Sequence, residues 1–136
     1  MKVKIVIATA ILLLTVLFPG CIQVGEEGAN LEEVTATVYI NFGNGTVWKF
    51  ENITTRNATV YGLLLEAAKQ GNFSVDATYY GEMNSVFINS IAGVENQEGK
   101  YWQYWINGKY GNVGADKQKV NNSDVIEWKY TESQFW

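Results

Sequence analysis

The densest group of side chains able to hold another molecule is the run Tyr101-Trp102-Gln103-Tyr104-Trp105. Aromatic faces stack on planar or CH-rich ligands, and a primary amide between them both donates and accepts hydrogen bonds. In a strand, alternate side chains point to opposite faces. Trp102, Tyr104 and Ile106 then share one face, and Tyr101, Gln103 and Trp105 the other. The first set matches the alternation of Ile126, Trp128 and Tyr130 and is assigned to the core. The second set is left as an outer face, which Tyr79, Tyr80 and Tyr110 would extend. Such a face suits a planar, polar-edged ligand, a glycan or a protein partner. It is equally explained by a loop or neighbouring strand that covers it.

Other chemistry is narrowly limited. The chain has no histidine and one cysteine among 136 residues, which removes the commonest general base and metal ligand and any intrachain disulfide. The acids Asp76, Glu82, Asp116 and Asp124 are scattered, and no spacing selects a catalytic pair. No glycine-rich phosphate loop is present; Gly81, Gly93, Gly111 and Gly114 read as backbone punctuation. Lys117 and Lys119 oppose a calcium site in the loop 112–119. The expectation is therefore no catalytic residue, no metal site and no covalent cofactor. With 10 Lys and Arg against 14 Asp and Glu, the net charge of −4 repels phosphate backbones and argues against nucleic acid.

Cys21 has a different setting. Lys2 and Lys4 precede an almost wholly apolar run, 5–18, and Pro19-Gly20-Cys21 follows it. Fourteen residues are short for a membrane span, which needs about 20, and fit the apolar part of a signal peptide. The segment Leu17-Phe18-Pro19-Gly20-Cys21 resembles the prokaryotic lipoprotein signal, in which the cysteine is lipidated and becomes the new N-terminus. An uncleaved anchor helix or an internal apolar helix are the competing readings. The expected division is a signal peptide at 1–20, a lipidated Cys21 heading a flexible acidic tether over 21–33, and a folded domain over 34–136. The tether is rich in Gly and Glu and lacks apolar periodicity. The domain would then sit on the extracytoplasmic face of the membrane.

Asn-x-Ser/Thr occurs at Asn44, Asn52, Asn57, Asn72 and Asn121, where 13 Asn and 15 Ser or Thr in 136 residues would give about 1.4 by chance. Glycan attachment in an exported protein is one reading. The ordinary richness of polar turns in these residues is the other.

The elements that would position these groups follow from periodicity. Alternation of Val34, Ala36, Val38, Ile40 and Phe42 with polar residues predicts a strand, and Gly43-Asn44-Gly45 a turn into a second strand over 47–53. Thr59 is an N-cap for a helix over 60–70 with Val60, Leu63, Leu64, Ala67 and Ala68 on one face and Gly71 at the C′ position. Strands are predicted over 73–80, 86–92 and 101–106. Asn107-Gly108 is a two-residue hairpin turn, 111–119 a loop with room for a short strand, and 124–131 the last strand. One helix on a mixed sheet makes an α+β, β-grasp-like roll.

Three blocks carry a resemblance: 85–94, Tyr101-Trp102-Gln103-Tyr104-Trp105-Ile106-Asn107-Gly108-Lys109, and 123–130. Together with the helix start 57–64 they resemble the DUF4430 family, which is similar to the C-terminal domain of transcobalamin and intrinsic factor. The resemblance spans 34–130 and implies a β-grasp-like fold and ligand binding. Its vertebrate relatives use such a domain as half of a cobalamin site, with a helical barrel as the other half. That implies a corrinoid or similar small molecule as ligand, with a second protein completing the site. The alternative function is a cell-surface adhesion or assembly module that binds protein or glycan. A third is an anchored subunit presenting a ligand to a transporter.

Overall fold

A computed structural model describes residues 32–134. The expected signal peptide, Cys21 and nearly all of the tether lie outside the described residues. The elements are β1 (Val34–Asn41), β2 (Val47–Thr55), α1 (Val60–Gly71), β3 (Val75–Tyr80), β4 (Ser85–Ile91), β5 (Val94–Glu95), β6 (Tyr101–Ile106), β7 (Lys109–Tyr110) and β8 (Val125–Thr131). They form a five-stranded sheet in the order β2-β1-β8-β6-β7 and a three-stranded sheet, β3-β4-β5. β1 pairs antiparallel with β2 and parallel with β8, so the larger sheet is mixed. This is the expected α+β architecture with one covering helix, to which the second small sheet is an addition.

Apolar alternation sets the inner face of the larger sheet. Val34, Ala36, Val38 and Ile40 are buried while the residues between them are half-buried. On β8, Ile126, Trp128 and Tyr130 face inward as expected, and on β6 so do Trp102 and Tyr104. Ile106, expected beside them, is only half-buried. α1 lays Val60, Leu63, Leu64, Ala67 and Ala68 on β1 and β2. Thr59 Oγ1 accepts from the Gly62 N–H at 3.0 Å, satisfying one of the helix's orphan donors.

β2 changes phase midway. Val38 faces Phe50 but Ala36 faces Ile53, so β2 carries one extra residue between them. Asn52 lies in this irregularity with φ 58°. A bulge of this kind lets Trp48 and Phe50 on one side of it, and Ile53 and Thr55 on the other, address the same face.

The C-terminus of α1 corrects an expectation. Gly71 is not the C′ residue; it is the last helical residue, and Asn72 takes the left-handed position with φ 57°. A Cβ on Gly71 would sit 2.7 Å from the Phe50 ring, so the glycine is needed for close approach. Asn is the residue that best tolerates the left-handed region after glycine. The Phe73 N–H then returns to Ala68 O at 3.0 Å, and β3 begins at Val75 instead of 73.

Asn107-Gly108 forms the expected turn, with φ 51° and 83°. The Asn107 side chain also braces the neighbouring connection. It donates to Asp124 Oδ1 and accepts from the Val125 N–H, each at 2.9 Å. The stretch 111–119 contains no named strand; its Lys119 makes an isolated bridge with Thr59. β5 and β7, two residues each, have no counterpart in the sequence reading.

Candidate functional site

β7 reaches only Trp105 and Ile106 of β6. Beyond it, the edge of β6 from Tyr101 to Tyr104 has no strand partner among the described residues. β4 has an equally open edge before Ser90, because β5 pairs only with Ser90 and Ile91. Between these two edges lies a cleft of about 840 Å³. Val86, Phe87 and Ile88 of β4 form one wall, Tyr101 to Tyr104 of β6 the other, and Gly111 to Ala115 and Trp128 close it in. Met83 and Lys117 also line it. Among the described residues, no acid contributes to the lining, and Lys117 is its one charged residue. Lys117 Nζ lies 3.3 Å from Asp116 Oδ2.

Side chains hold the open edges apart and in place. Asn96 donates from Nδ2 to Ile88 O at 2.9 Å and accepts at Oδ1 from the Trp102 N–H at 2.8 Å, clipping one sheet to the other. At the far end, Asp116 Oδ1 accepts from the Val86 N–H at 3.1 Å. Burial opposes ionisation of Asp116, but this bond and Lys117 outweigh it and lower its pKa. The indole N–H of Trp102 donates to Val94 O at 2.8 Å. Trp128, 2% exposed, has its Nε1 buried without a partner among the described residues, and its ring centroid lies 5.3 Å from that of the tilted Tyr104 ring.

Gly111 and Gly114 are more than punctuation. A Cβ on Gly111 would enter the Tyr104 ring, and one on Gly114 would strike the Ser85 hydroxyl. The loop therefore lies flush against both walls. The Tyr104 hydroxyl fixes it by donating to Val113 O at 2.7 Å. Burial pushes the Tyr104 phenol up to about 12, so it remains protonated in the site.

The six residues proposed for ligand contact are divided by this geometry. Tyr101, Gln103 and Tyr110 line the cleft. Trp105 does not; its ring meets Tyr110 edge-on at 5.2 Å and carries Lys129 Nζ 4.5 Å above it. Tyr79 and Tyr80 are exposed on β3, outside the lining, with Tyr80 edge-on to Phe87 at 5.9 Å. Gln103 is heavily engaged by its own chain. Its Nε2 donates to Thr131 O at 3.2 Å and Glu132 O at 3.0 Å, and its Oε1 accepts from Tyr110 at 3.0 Å. The outer face of β6 is thus partly covered, as the second reading of that face allowed.

Sequence reasoning missed Val86, Phe87, Ile88, Asn96 and Lys117, and placed Trp102, Tyr104 and Trp128 in the core alone. It sorted β6 by face, whereas the cleft is at an edge, lined by residues from both faces of β6. The available signal was the shortness of any strand after Asn107-Gly108, which leaves most of β6 without an outer neighbour.

Among the described residues, no group of three or more His, Cys, Asp or Glu could hold a metal ion.

Among the described residues, a lone helix over a mixed sheet, with a walled cleft at a free edge, defines a small α+β domain of the β-grasp-like kind. Over residues 57–132 the chain matches the family described as domain of unknown function DUF4430, and it belongs to that family. No curated protein matches it. Among solved structures it is similar to haptocorrin in complex with Cbi, with TM-score 0.66 and 15% identity over 75% of this chain and 26% of that one. It therefore spans about a quarter of haptocorrin's length. It is also similar to a candidate metal-binding protein from Ruminococcus gnavus ATCC 29149, with TM-score 0.54 and 23% identity over 74% of this chain and 98% of that one.

Proposed function

We propose that this chain is a non-catalytic binding module, held by lipid at Cys21 on the extracytoplasmic face of the membrane, whose cleft takes part of a corrinoid or a similar ring-shaped small molecule. The observation that carries the reading is the aromatic-walled cleft of about 840 Å³, with no acid among its described lining residues, in a fold shared with haptocorrin. Its size falls within the range of about 300–1,000 Å³ usual for small-molecule sites. Aromatic rings supply stacking area, and the exposed Asn84, Asn112 and Lys117 of the lining supply polar contacts. The reading includes a second protein that completes the site around such a ligand.

The experiment is titration of the full chain in detergent with cobinamide and with cobalamin, followed by calorimetry and visible absorbance. Saturable binding that is weakened by at least tenfold in Tyr101→Ala is expected. No heat and no spectral change at millimolar ligand, with and without a helical partner protein, overturns the reading.

A second reading, an adhesion or assembly module, is favoured by the β3–β4 hairpin, where Tyr79, Tyr80, Met83 and Phe87 are all exposed. Cross-linking on intact cells that recovers only monomer would remove it.

A further inference from the structure

We propose that Asn44, Asn52, Asn72 and Asn121 carry N-linked glycans, that Asn57 stays bare, and that the glycans at 44, 52 and 72 cover the open edge strand β2. The proposal rests on the extracytoplasmic reading above but not on the ligand.

All five asparagines are exposed, in turns, loops, the helix cap or the β2 bulge. What separates them is the hydroxyl two residues on. Thr46, Thr54, Ser74 and Ser123 are exposed, Thr54 with its hydroxyl 2.8 Å from Thr35 Oγ1 at the surface. Thr59 is 7% exposed and already committed: it accepts from the Gly62 N–H at 3.0 Å and donates to Asn57 Oδ1 at 3.1 Å. The Asn57 side chain is in turn packed so closely on Gly62 that a Cβ there would lie 2.7 Å from its Cγ. Four sequons are thus open to a transferase in the folded chain, and one is closed.

Local structure accounts for three of these asparagines and, among the four exposed hydroxyls, for that of Thr54, which pairs with Thr35 Oγ1 at 2.8 Å. Left-handed backbone explains Asn52 and Asn72, and the Asn44 side chain accepts from the Thr46 N–H at 3.0 Å. None of these roles requires Ser or Thr at the second following position.

Three of the four open sequons surround one surface. Among the described residues, β2 ends the five-stranded sheet with β1 as its sole partner there. Its Val47 and Trp48 are 48% and 38% exposed. Trp48 continues into an aromatic surface through Phe73, ring centroids 5.6 Å apart, and Phe73 meets Phe50 at 5.6 Å. Asn44 precedes Val47 in the turn, Asn52 follows Phe50 in the bulge, and Asn72 follows Gly71, which lies against the Phe50 ring. An open edge with exposed aromatics is a template for pairing with another chain. Lys49 and Glu51 blunt it only in part. Bulky solvated glycans at three corners would blunt it fully, with sugar CH groups free to pack on Trp48.

In the reaction, the asparagine Nδ2 forms a bond to the anomeric carbon of a lipid-linked oligosaccharide phosphate. The carbon–oxygen bond to phosphate breaks, the lipid phosphate leaves with the electron pair, and the amide gives up one proton.

The test compares the full chain isolated from the cells that produce it with the same chain from a host lacking the transferase. Intact mass and glycopeptide mapping should find glycan at Asn44, Asn52, Asn72 and Asn121 and none at Asn57. Sedimentation in detergent should show self-association of the unglycosylated chain, reversed by Trp48→Lys. Bare Asn44, Asn52 and Asn72, an occupied Asn57, or an unglycosylated chain that stays monomeric overturns the proposal. Proteolysis of intact cells reports separately whether the domain is outside.

Discussion

Asn96 accepts the Trp102 N–H at 2.8 Å with the same side chain that donates to Ile88 O at 2.9 Å, so one amide spans the gap between two sheets that share no ladder there. Asn96→Ala would leave a strand N–H and a strand C=O without partners beside an apolar cleft. An abandoned, partly buried polar group typically costs about 1–3 kcal/mol. Urea unfolding should register a loss in that range. Ligand affinity should fall with it, because the cleft walls lose their spacer. An unchanged midpoint would show that the sheets are held elsewhere.

The two tryptophans of β6 should behave differently, and for reasons the face assignment alone does not contain. Trp102 is buried, and Trp102→Ala should cost about 3–5 kcal/mol. Trp105 is half-buried, with Tyr110 edge-on and Lys129 above its ring. An aromatic pair contributes about 0.5–1.5 kcal/mol, and an exposed cation–π contact about 0.5–1 kcal/mol. Trp105→Ala should therefore lower stability by about 1–2 kcal/mol while leaving binding in the cleft unchanged, since Trp105 is not part of its wall. A tenfold loss of affinity in Trp105→Ala would move the site to the outer face.

Alkaline pH offers a probe of Tyr104. Its phenol titrates near 10 when exposed and is pushed up to about 12 in the fold by burial. The unfolded chain thus loses this proton first. Stability from this group is complete below pH 10 and is lost as pH rises from about 10 to about 12. Tyr104→Phe should remove that part of the alkaline decline, at the cost of the hydrogen bond to Val113 O. Denaturant midpoints measured across this window in both proteins check the sign; parallel declines would place the titration on another group.

Gly111 tests how tightly the cleft loop is seated. A Cβ at this position would drive into the Tyr104 ring, which lies against Trp128. Gly111→Ala should cost about 1–3 kcal/mol, as overpacking does. It should also alter the near-ultraviolet circular dichroism of the Tyr104–Trp128 pair. A neutral substitution would mean that the loop stands off the wall.

Much of the fold was legible because a single signal carried each element. Period-two alternation placed β1, β6 and β8, the Thr59 cap and helical spacing placed α1, and Asn107-Gly108 placed the turn. The cleft was less legible because it depends on partners that are absent. Nothing local to Tyr101 to Tyr104 records that β7 stops at two residues, or that Asn96, five residues upstream, fills the vacancy. Gln103 shows the same limit: its type suits a ligand, but its distance to the backbone of Thr131 and Glu132 is a tertiary fact. Gly111 and Gly114 were read by local conformation, whereas close approach to Tyr104 and Ser85 is what requires them.

The end of α1 supplies the last prediction, in which ordinary helix rules should fail at one residue and hold at the next. Gly71 is helical, and in a solvent-exposed helix Gly→Ala is worth about 1 kcal/mol in favour of Ala. Here the new Cβ would meet the Phe50 ring at 2.7 Å, and the ring is wedged between Trp48 and Phe73. Gly71→Ala should therefore destabilise despite the better propensity. Asn72, with φ 57°, is the residue that pays the left-handed cost. Asn72→Gly should be neutral or slightly stabilising, and Asn72→Ala should lose about 1–2 kcal/mol. Thermal melts of the unglycosylated chain separate these effects from any attached sugar. A gain in stability from Gly71→Ala would show that Phe50 can rotate away, and that the aromatic surface beside β2 is less tightly packed than its ring distances imply.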